Sequence, residues 1–344
     1  MRRITTLGVL FGVAVAFCGA MVHAQNVPQR QATITVQLQR HTSAKSPPVI
    51  TAVAIHPDGK TAAMAGDDHV VRLLNLSTGE VKQHLVGHAD WIRALCYSPD
   101  GGALASAGDD RTIMVWDATG TTEPRALARH PRSIYALRFS RDGKTLAAAG
   151  FEDKLRLYDP HRGELIRELD APCVDMRALG FCGDGRLAAG GRNGSLRVWE
   201  IATGRVAWER EAHQRRIRTI AISADGVMLV TAGEDRVLRI WDAARGEEST
   251  TIDHGGGKVL AATYCGRHRI AGAGTDNVIH IWDAKSGRKI IQLTGHTGSV
   301  AALAYDKATD TLVSGSYDTT VRIWKLGKLL SDRQAIRPAA PSSR

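Results

Sequence analysis

Histidine, a hydroxyl residue and aspartate recur together at three places in the chain, each time ahead of a tryptophan at a constant spacing. A hydroxyl, an imidazole and a carboxylate within reach of one another can form a nucleophilic triad. An active site is needed only once, whereas this set is repeated with identical offsets, so we interpret the sets as structural tetrads. The three structural tetrads are His88, Ser106, Asp110 and Trp116; His213, Thr231, Asp235 and Trp241; and His296, Ser314, Asp318 and Trp324.

The residue types of a tetrad suit a hydrogen-bonded relay. An aspartate in a tight turn can cap backbone amides and accept a hydrogen bond from an imidazole. The second imidazole nitrogen can accept from a hydroxyl, and an indole N–H is a donor only. Zinc is not expected, because its ligands lie at close spacing and these histidines fall in different repeats. The histidines concerned are His88, His130, His213 and His296.

The segments that position the tetrads repeat along the chain. Short apolar runs alternate with Gly, Asp and Pro turns, which predicts antiparallel strands joined by tight hairpins. A period in the low forties with a Gly-His opening and a Trp-Asp close indicates propeller blades of four strands. The closing positions are spaced by 41 or 42 residues and are Leu74, Trp116, Tyr158, Trp199, Trp241, Trp282 and Trp324.

The segment Gly87–Asp117, which opens with Gly-His and closes with Trp-Asp, resembles the WD-repeat family, the relatives of the G-protein β subunit. In-phase copies cover the chain after residue 31. The resemblance implies an all-β fold, a single seven-bladed propeller of four-stranded antiparallel blades, in which each tetrad links the outer connection to the inner strands. Because Thr33–His41 matches Lys289–His296 in phase, we expect the N-terminal strand to complete blade seven and close the ring.

The predicted divisions are a signal peptide over residues 1–24, a linker over 25–31, the propeller over 32–326 and a basic flexible tail over 327–344. The signal peptide is indicated by Met1-Arg2-Arg3, an apolar run of 16 residues from Leu7 to Val22, and a small-x-small cleavage pattern that ends at Ala24. The run is shorter than the ~20 residues of a spanning helix. We therefore expect an exported, bacterial-type member, periplasmic or extracellular; the alternative is an uncleaved anchor.

The net charge restricts the class of partner, and the cysteines indicate how the core is built. The formal net charge is +10, which favours an acidic partner, although export argues against nucleic acid. The four cysteines left after cleavage, Cys96, Cys173, Cys182 and Cys265, are interpreted as small core residues without disulfides. We expect a monomer with no transmembrane segment after cleavage.

One face of such a propeller carries the histidine connections and the acidic turns, and in the family that face often binds partners. Its variable positions flank the first apolar residue of each first strand and precede the turn acid. Arginines beside aromatics are typical of binding hot spots, whereas the other interpretation is a solvated face with scattered charges. The candidate partner-binding residues are Trp91, Arg93, Tyr135, Phe151, Arg177, Arg192, Arg215, Arg216, Arg218 and Tyr317.

The sequence thus predicts a non-enzymatic protein-interaction platform, without catalytic residues, cofactor or metal, whose protein partner docks through an acidic group. The hairpin turns are minimal and leave no room for a lid or a catalytic loop. One alternative is a polyanion-binding module for acidic glycan or lipid, which strong salt sensitivity would reveal. The other is a lactonase-like or quinoprotein-like propeller enzyme, which needs convergent metal-binding carboxylates or a cofactor-stacking tryptophan; the repeat alignment shows neither.

Overall fold

The computed structural model describes residues 33–39 and 46–335, with side chains as far as residue 331. These residues form seven four-stranded antiparallel sheets arranged as the blades of a propeller, which confirms the predicted fold class. The predicted signal peptide, the linker and residues 336–344 lie outside the described residues.

The chain begins with the strand β1 (Thr33–Gln37) and then forms the blades in sequence order. Blade one contains β2 (Ile50–Ile55), β3 (Thr61–Gly66), β4 (Val70–Asn75) and β5 (Val81–Val86). Blade two contains β6 (Ile92–Tyr97), β7 (Ala103–Gly108), β8 (Thr112–Asp117) and β9 (Arg125–Arg129). Blade three contains β10 (Ile134–Phe139), β11 (Leu146–Gly150), β12 (Lys154–Tyr158) and β13 (Leu165–Asp170).

The remaining blades follow the same pattern. Blade four contains β14 (Met176–Phe181), β15 (Arg186–Gly191), β16 (Ser195–Glu200) and β17 (Val206–Glu211). Blade five contains β18 (Ile217–Ile222), β19 (Met228–Gly233), β20 (Val237–Asp242) and β21 (Glu248–Asp253). Blade six contains β22 (Val259–Tyr264), β23 (Arg269–Gly274), β24 (Ile279–Asp283) and β25 (Lys289–Leu293). Blade seven adds β26 (Val300–Asp306), β27 (Thr311–Ser316) and β28 (Thr320–Lys325) to β1.

The N-terminal strand closes the ring as predicted. β1 pairs antiparallel with β28, from Thr33 opposite Trp324 to Gln37 opposite Thr320. Val36 is buried in a core cluster shared by blades seven and one. This pairing covers the edge that β28 would otherwise expose, and it joins the two ends of the propeller directly.

The first strand of every blade carries a β-bulge one residue after its start. In blade two, Ile92 pairs with Gly108 and Ala94 pairs with Ala107, so Arg93 has no cross-strand partner. Gly108 is required there, because a Cβ would lie 1.9 Å from the carbonyl oxygen of Trp91. A bulge re-aims the extra side chain. The seven bulged residues are Thr51, Arg93, Tyr135, Arg177, Arg218, Leu260 and Ala301.

The three tetrads form the expected relay. In blade two, Trp116 Nε1 donates to Ser106 Oγ (2.7 Å), His88 Nε2 lies 2.6 Å from the same hydroxyl, and His88 Nδ1 lies 2.6 Å from Asp110 Oδ2. The hydroxyl therefore accepts from the indole and donates to the imidazole, which donates from its other nitrogen to the carboxylate. Blades five and seven repeat these contacts at 2.7–2.9 Å.

The aspartates of the tetrads are stabilised as anions. Burial opposes ionisation of Asp110, Asp235 and Asp318, but hydrogen bonds from histidine and backbone amides hold the pKa of each carboxyl below its usual range. A depressed carboxyl pKa adds stability above the ordinary pKa of aspartate, and this contribution is lost as the pH falls through the folded-state value.

Two blades that lack the tryptophan make other polar contacts. In blade three, the hydroxyl of Tyr158 reaches His130 Nε2 directly (2.9 Å), so no serine is needed between them. In blade one, Arg72 and Asp68 form a bidentate ion pair with side chains that are 1% exposed, and Arg72 also donates to the carbonyl of Gln39 (2.9 Å). The hydrogen bond from Arg72 to Gln39 ties the segment after β1 to blade one.

The predicted flexible tail begins instead with a helix, α1 (Leu326–Ala335). Leu326 and Leu329 are buried against blades six and seven, and this apolar contact orders the start of the segment. Within the described residues, no helix is long and apolar enough to cross a membrane.

The cysteines that the structure describes are unpaired. Cys96, Cys182 and Cys265 are buried, and burial raises the pKa of each thiol to about 12. They pack as small core residues, and at neutral pH they carry no thiolate that could react.

Deleting residues 32–40 is expected to unfold or aggregate the protein, because blade seven loses its outer strand and exposes β28. Thermal melting of the truncated and intact chains measures this effect. As a matched pair of point variants, Val36→Asp places a charge in the core, whereas Thr35→Asp alters the exposed side of the same strand. Val36→Asp should lower the melting temperature and Thr35→Asp should not; unchanged melting of the truncation would contradict the closure.

Thr231→Val keeps the volume of a tetrad residue and removes its hydroxyl. His213 Nε2 and Trp241 Nε1 then lose their shared partner in a buried site. Unpaired buried polar groups cost about 1–3 kcal/mol each, so the free energy of unfolding should fall by about 2–5 kcal/mol in denaturant titrations. Thr251→Val, at an exposed position of the same blade, is the control. Equal effects of the two changes would show that the relay does not stabilise the blade.

Candidate partner-binding site

The seven bulged residues line one mouth of the central channel, together with Tyr317. We call the bulged residues the mouth ring. Their side chains differ from blade to blade although the backbone geometry repeats. Blades two to five contribute Arg93, Tyr135, Arg177 and Arg218, whereas blades one, six and seven contribute smaller or apolar residues. The mouth ring is therefore cationic and aromatic on one side only.

Arginine and aromatic side chains alternate along that side. The Arg93 guanidinium lies 4.4 Å from the centre of the Trp91 ring and 5.9 Å from that of Tyr135. The Arg177 guanidinium lies 3.6 Å from the centre of the same Tyr135 ring. Tyr135 of blade three therefore contacts an arginine from each neighbouring blade. These cation–π contacts orient the guanidinium groups before any ligand arrives. The side chains are partly exposed, so their edges remain open to a partner.

Asp175 anchors the arginines of blades four and five. Its side chain is 2% exposed, and its backbone adopts a left-handed conformation with φ of 71°. Arg177 Nε donates to Asp175 Oδ1 (2.5 Å), and Arg216 Nη2 lies 3.0 Å from Asp175 Oδ2. One buried carboxylate thus holds two cations in place, so Arg216 has a structural task besides any contact with a partner.

Glu234 is shared by three cations. It lies 3.1 Å from Arg216, 3.7 Å from Arg218 and 3.4 Å from Lys258. Burial opposes ionisation, but Arg216 and then Lys258 and Arg218 hold the pKa of the Glu234 carboxyl below its usual value. Together, Asp175 and Glu234 meet more cations than they can neutralise, which leaves positive charge at the mouth.

Arg218 is the least compensated of these cations. Its nearest carboxylate oxygen is the one at 3.7 Å, beyond hydrogen-bonding distance. Burial, followed by repulsion from Arg177, lowers the pKa of its guanidinium below the ordinary value. The charged guanidinium of Arg218 is therefore destabilised at this position, and a carboxylate from a ligand would offset that electrostatic cost.

The structure divides the predicted partner-binding residues into two groups. Arg93, Tyr135, Arg177, Arg218 and Tyr317 line the mouth, with Trp91 beside Arg93 and Arg216 behind Asp175. The remaining three residues are exposed but are not part of the mouth lining within the described chain. They are Phe151, Arg192 and Arg215.

The sequence pattern does not predict the bulge, or the three further residues that complete the mouth ring, which are Thr51, Leu260 and Ala301. A signal existed, because a glycine such as Gly108 ends most of the second strands, where a side chain would strike the backbone of the first. The burial of Asp175 had no comparable signal, since an aspartate in a turn is usually solvated.

The WD domain, G-beta repeat family matches residues 33–75, 79–117, 122–159 and 287–325. The WDR54 family matches residues 165–277, between the third and fourth of those segments. The matched segments fall on the propeller, and the two families together span all seven blades.

Several curated proteins are similar to parts of the chain. Human WD repeat-containing protein 54 is 32% identical over 28% of this chain and 28% of its own length. Pre-rRNA-processing protein IPI3 of Candida albicans is 40% identical over 17% of this chain and 12% of its own length. Protein ROOT INITIATION DEFECTIVE 3 of Arabidopsis thaliana is 25% identical over 47% of this chain and 31% of its own length.

The chain spans less than a third of the length of each of these relatives, so their names describe larger proteins. What they share with it is the repeated blade. The seven four-stranded blades, the three complete tetrads and these matches support assignment to the WD-repeat family, whose propellers generally bind protein partners.

Proposed function

We propose that the chain is a non-enzymatic protein-interaction platform whose mouth ring binds an acidic segment of a protein partner. The observation that carries the proposal is the arrangement around Arg218, a cation at the channel mouth whose nearest carboxylate among the described residues lies 3.7 Å away. Arg177 and Arg93 stand on the same side of the mouth, held by Asp175 and Asp109. An acidic side chain there would gain charge-assisted hydrogen bonds.

The aromatic side chains add a second element of recognition. Trp91 and Tyr135 hold the arginines by cation–π contacts, and Tyr317 is 42% exposed at the mouth. An acidic peptide that carries an apolar residue beside its carboxylate can therefore contact both kinds of surface. Arginine and tyrosine in such a partly buried setting are typical of binding hot spots.

A structural role for the tetrads favours binding over catalysis. The hydroxyl, imidazole and carboxylate of each set are engaged with one another and with an indole, and Ser106, Thr231 and Ser314 are buried. A nucleophile needs access to a substrate carbonyl. These hydroxyls have none in the described structure, so the triad-like sets support a platform.

We also propose that the chain is exported to the periplasm or the extracellular space, as a bacterial-type member of the family. The support is the basic start, the apolar run and the cleavage pattern of residues 1–24. The relatives named above are eukaryotic, so this part of the proposal depends on those residues alone. N-terminal sequencing after expression in a bacterial host should begin at Gln25; an intact Met1 would contradict it.

Arg218→Gln should weaken binding of an acidic probe without unfolding the propeller. Within the part of the chain that the structure describes, its guanidinium has only the 3.7 Å contact with Glu234 to lose, so the melting temperature should change little. The probe is a fluorescein-labelled hexaglutamate peptide, and fluorescence anisotropy measures its affinity. Loss of one charge-assisted hydrogen bond of about 1.5 kcal/mol or more should raise Kd roughly tenfold.

Arg215→Gln is the matched control, because Arg215 lies in the same blade, is exposed and forms no ion pair within the described residues. It removes the same charge outside the mouth. Equal weakening by both variants would show that the probe senses only net charge, and this would favour the polyanion-binding alternative. An affinity unchanged by Arg218→Gln would exclude the mouth as the binding site.

A further inference from the structure

Blade six departs from the tetrad in a way that leaves a buried histidine unsatisfied. Gly272 occupies the position of the hydroxyl residue, and the Trp282 ring fills the space, since a Cβ at Gly272 would lie 3.0 Å from Trp282 Cζ3. His254 is 0% exposed, and neither of its ring nitrogens has a hydrogen-bond partner within the described residues. An unpaired buried polar group is costly, so this arrangement requires a physical reason.

A second histidine stands beside it. His280 lies two residues before Trp282, at the position that Met114 occupies in blade two. Its Nε2 is 2.7 Å from Asp276 Oδ2, and the same oxygen lies 3.8 Å from His254 Nδ1, beyond hydrogen-bonding distance. Two imidazoles and one carboxylate thus converge. Each residue offers one ligand atom, and these three atoms lie within 4.8 Å of one another.

The site is open on one side. Asp276 is 18% exposed, so solvent reaches the carboxylate. Gly256 passes over the cluster, and a Cβ there would lie 2.3 Å from Asp276 Oδ2 and 3.0 Å from His254 Nδ1. Only glycine leaves this space free. The backbone at residue 256 therefore packs directly against these atoms, and any side chain there would collide with them.

The donor set has a clear chemical preference. Imidazole nitrogens with a carboxylate oxygen suit Zn²⁺ and neighbouring divalent transition metals. Tetrahedral zinc places its ligand atoms about 3.4 Å apart. The Asp276 oxygen lies 2.7 Å from His280 Nε2 and 3.8 Å from His254 Nδ1, so small shifts of these side chains would admit the ion.

We propose that His254, Asp276 and His280 bind a divalent transition-metal ion of the zinc type, with one coordination position left for water. His254 takes part through the nitrogen that faces Asp276, and His280 through Nε2. Metal binding through Nε2 leaves the proton of His280 on Nδ1, which lies 3.2 Å from the side-chain amide of Gln292. A half-turn of that amide would present its oxygen as the acceptor and orient the ring. The ion supplies the partner that His254 lacks, and it joins the outer connection of blade six to β24 as the tetrads do elsewhere.

The test uses the full chain after chelator treatment and dialysis. Titration with zinc chloride, followed by calorimetry, should show one site per chain. His280→Met removes a ligand and introduces the residue that blade two already carries at this position, so the fold should persist. It should weaken zinc binding at least tenfold and abolish the increase in melting temperature that zinc gives the unaltered chain.

His161→Met is the matched control, because His161 is exposed on blade three and can bind zinc only adventitiously. Its affinity should equal that of the unaltered chain. The absence of a stoichiometric site, or equal affinity in His280→Met, would overturn the proposal. If His280→Met fails to fold, nitrogen NMR of the unaltered chain decides: zinc must shift the ring nitrogens of His254 and His280, and unshifted signals overturn it.

Discussion

The fold depends on one constraint: a four-stranded blade is apolar on both faces and can bury them only against neighbouring blades. The cluster of Leu73, Ile92 and Trp116 belongs to blades one and two together, and that of Val36, Ile50 and Val321 to blades seven and one. No blade has a core of its own in these clusters. The ring must therefore close, and the pairing of β1 with β28 is the contact through which it does so.

Buried polar contacts then hold five of the blades to their connections, and these contacts differ in chemistry although they serve one purpose. Blades two, five and seven use a shared hydroxyl, blade three a tyrosine, and blade one a buried arginine–aspartate pair. Each solution satisfies its buried groups internally. The repeating backbone also aims one bulged residue per blade into the channel mouth, and variation among these seven residues gives a symmetric scaffold an asymmetric, cationic binding surface.

Much of this was predictable from the sequence. The constant spacing of His88, Ser106, Asp110 and Trp116 with its two copies predicts the blades and the relay, since both follow from local period and side-chain chemistry. The phase match of Thr33–His41 predicts the ring closure. Each of these signals is a repeat, and a repeat is visible without coordinates.

The rest depends on contacts that no repeat encodes. The bulge at Arg93 becomes visible only when Ile92 and Ala94 are paired with their partners. The burial of Asp175 depends on two arginines from different blades, and the helix after Lys325 depends on Leu326 and Leu329 meeting blades six and seven. Within the described chain, His254 lacks a hydrogen-bond partner because Gly272 has no hydroxyl and the Trp282 ring occupies the space beside it. These are consequences of packing between repeats.

The central claim is that the mouth ring binds acidic groups. The most direct measurement is an NMR titration of arginine Nε–H signals with hexaglutamate peptide at physiological salt. The signals of Arg218, Arg177 and Arg93 should shift together and saturate, while those of Arg192 and Arg215 stay in place. Shifts confined to Arg192 and Arg215, or uniform shifts across all arginines, would contradict a binding site at the mouth.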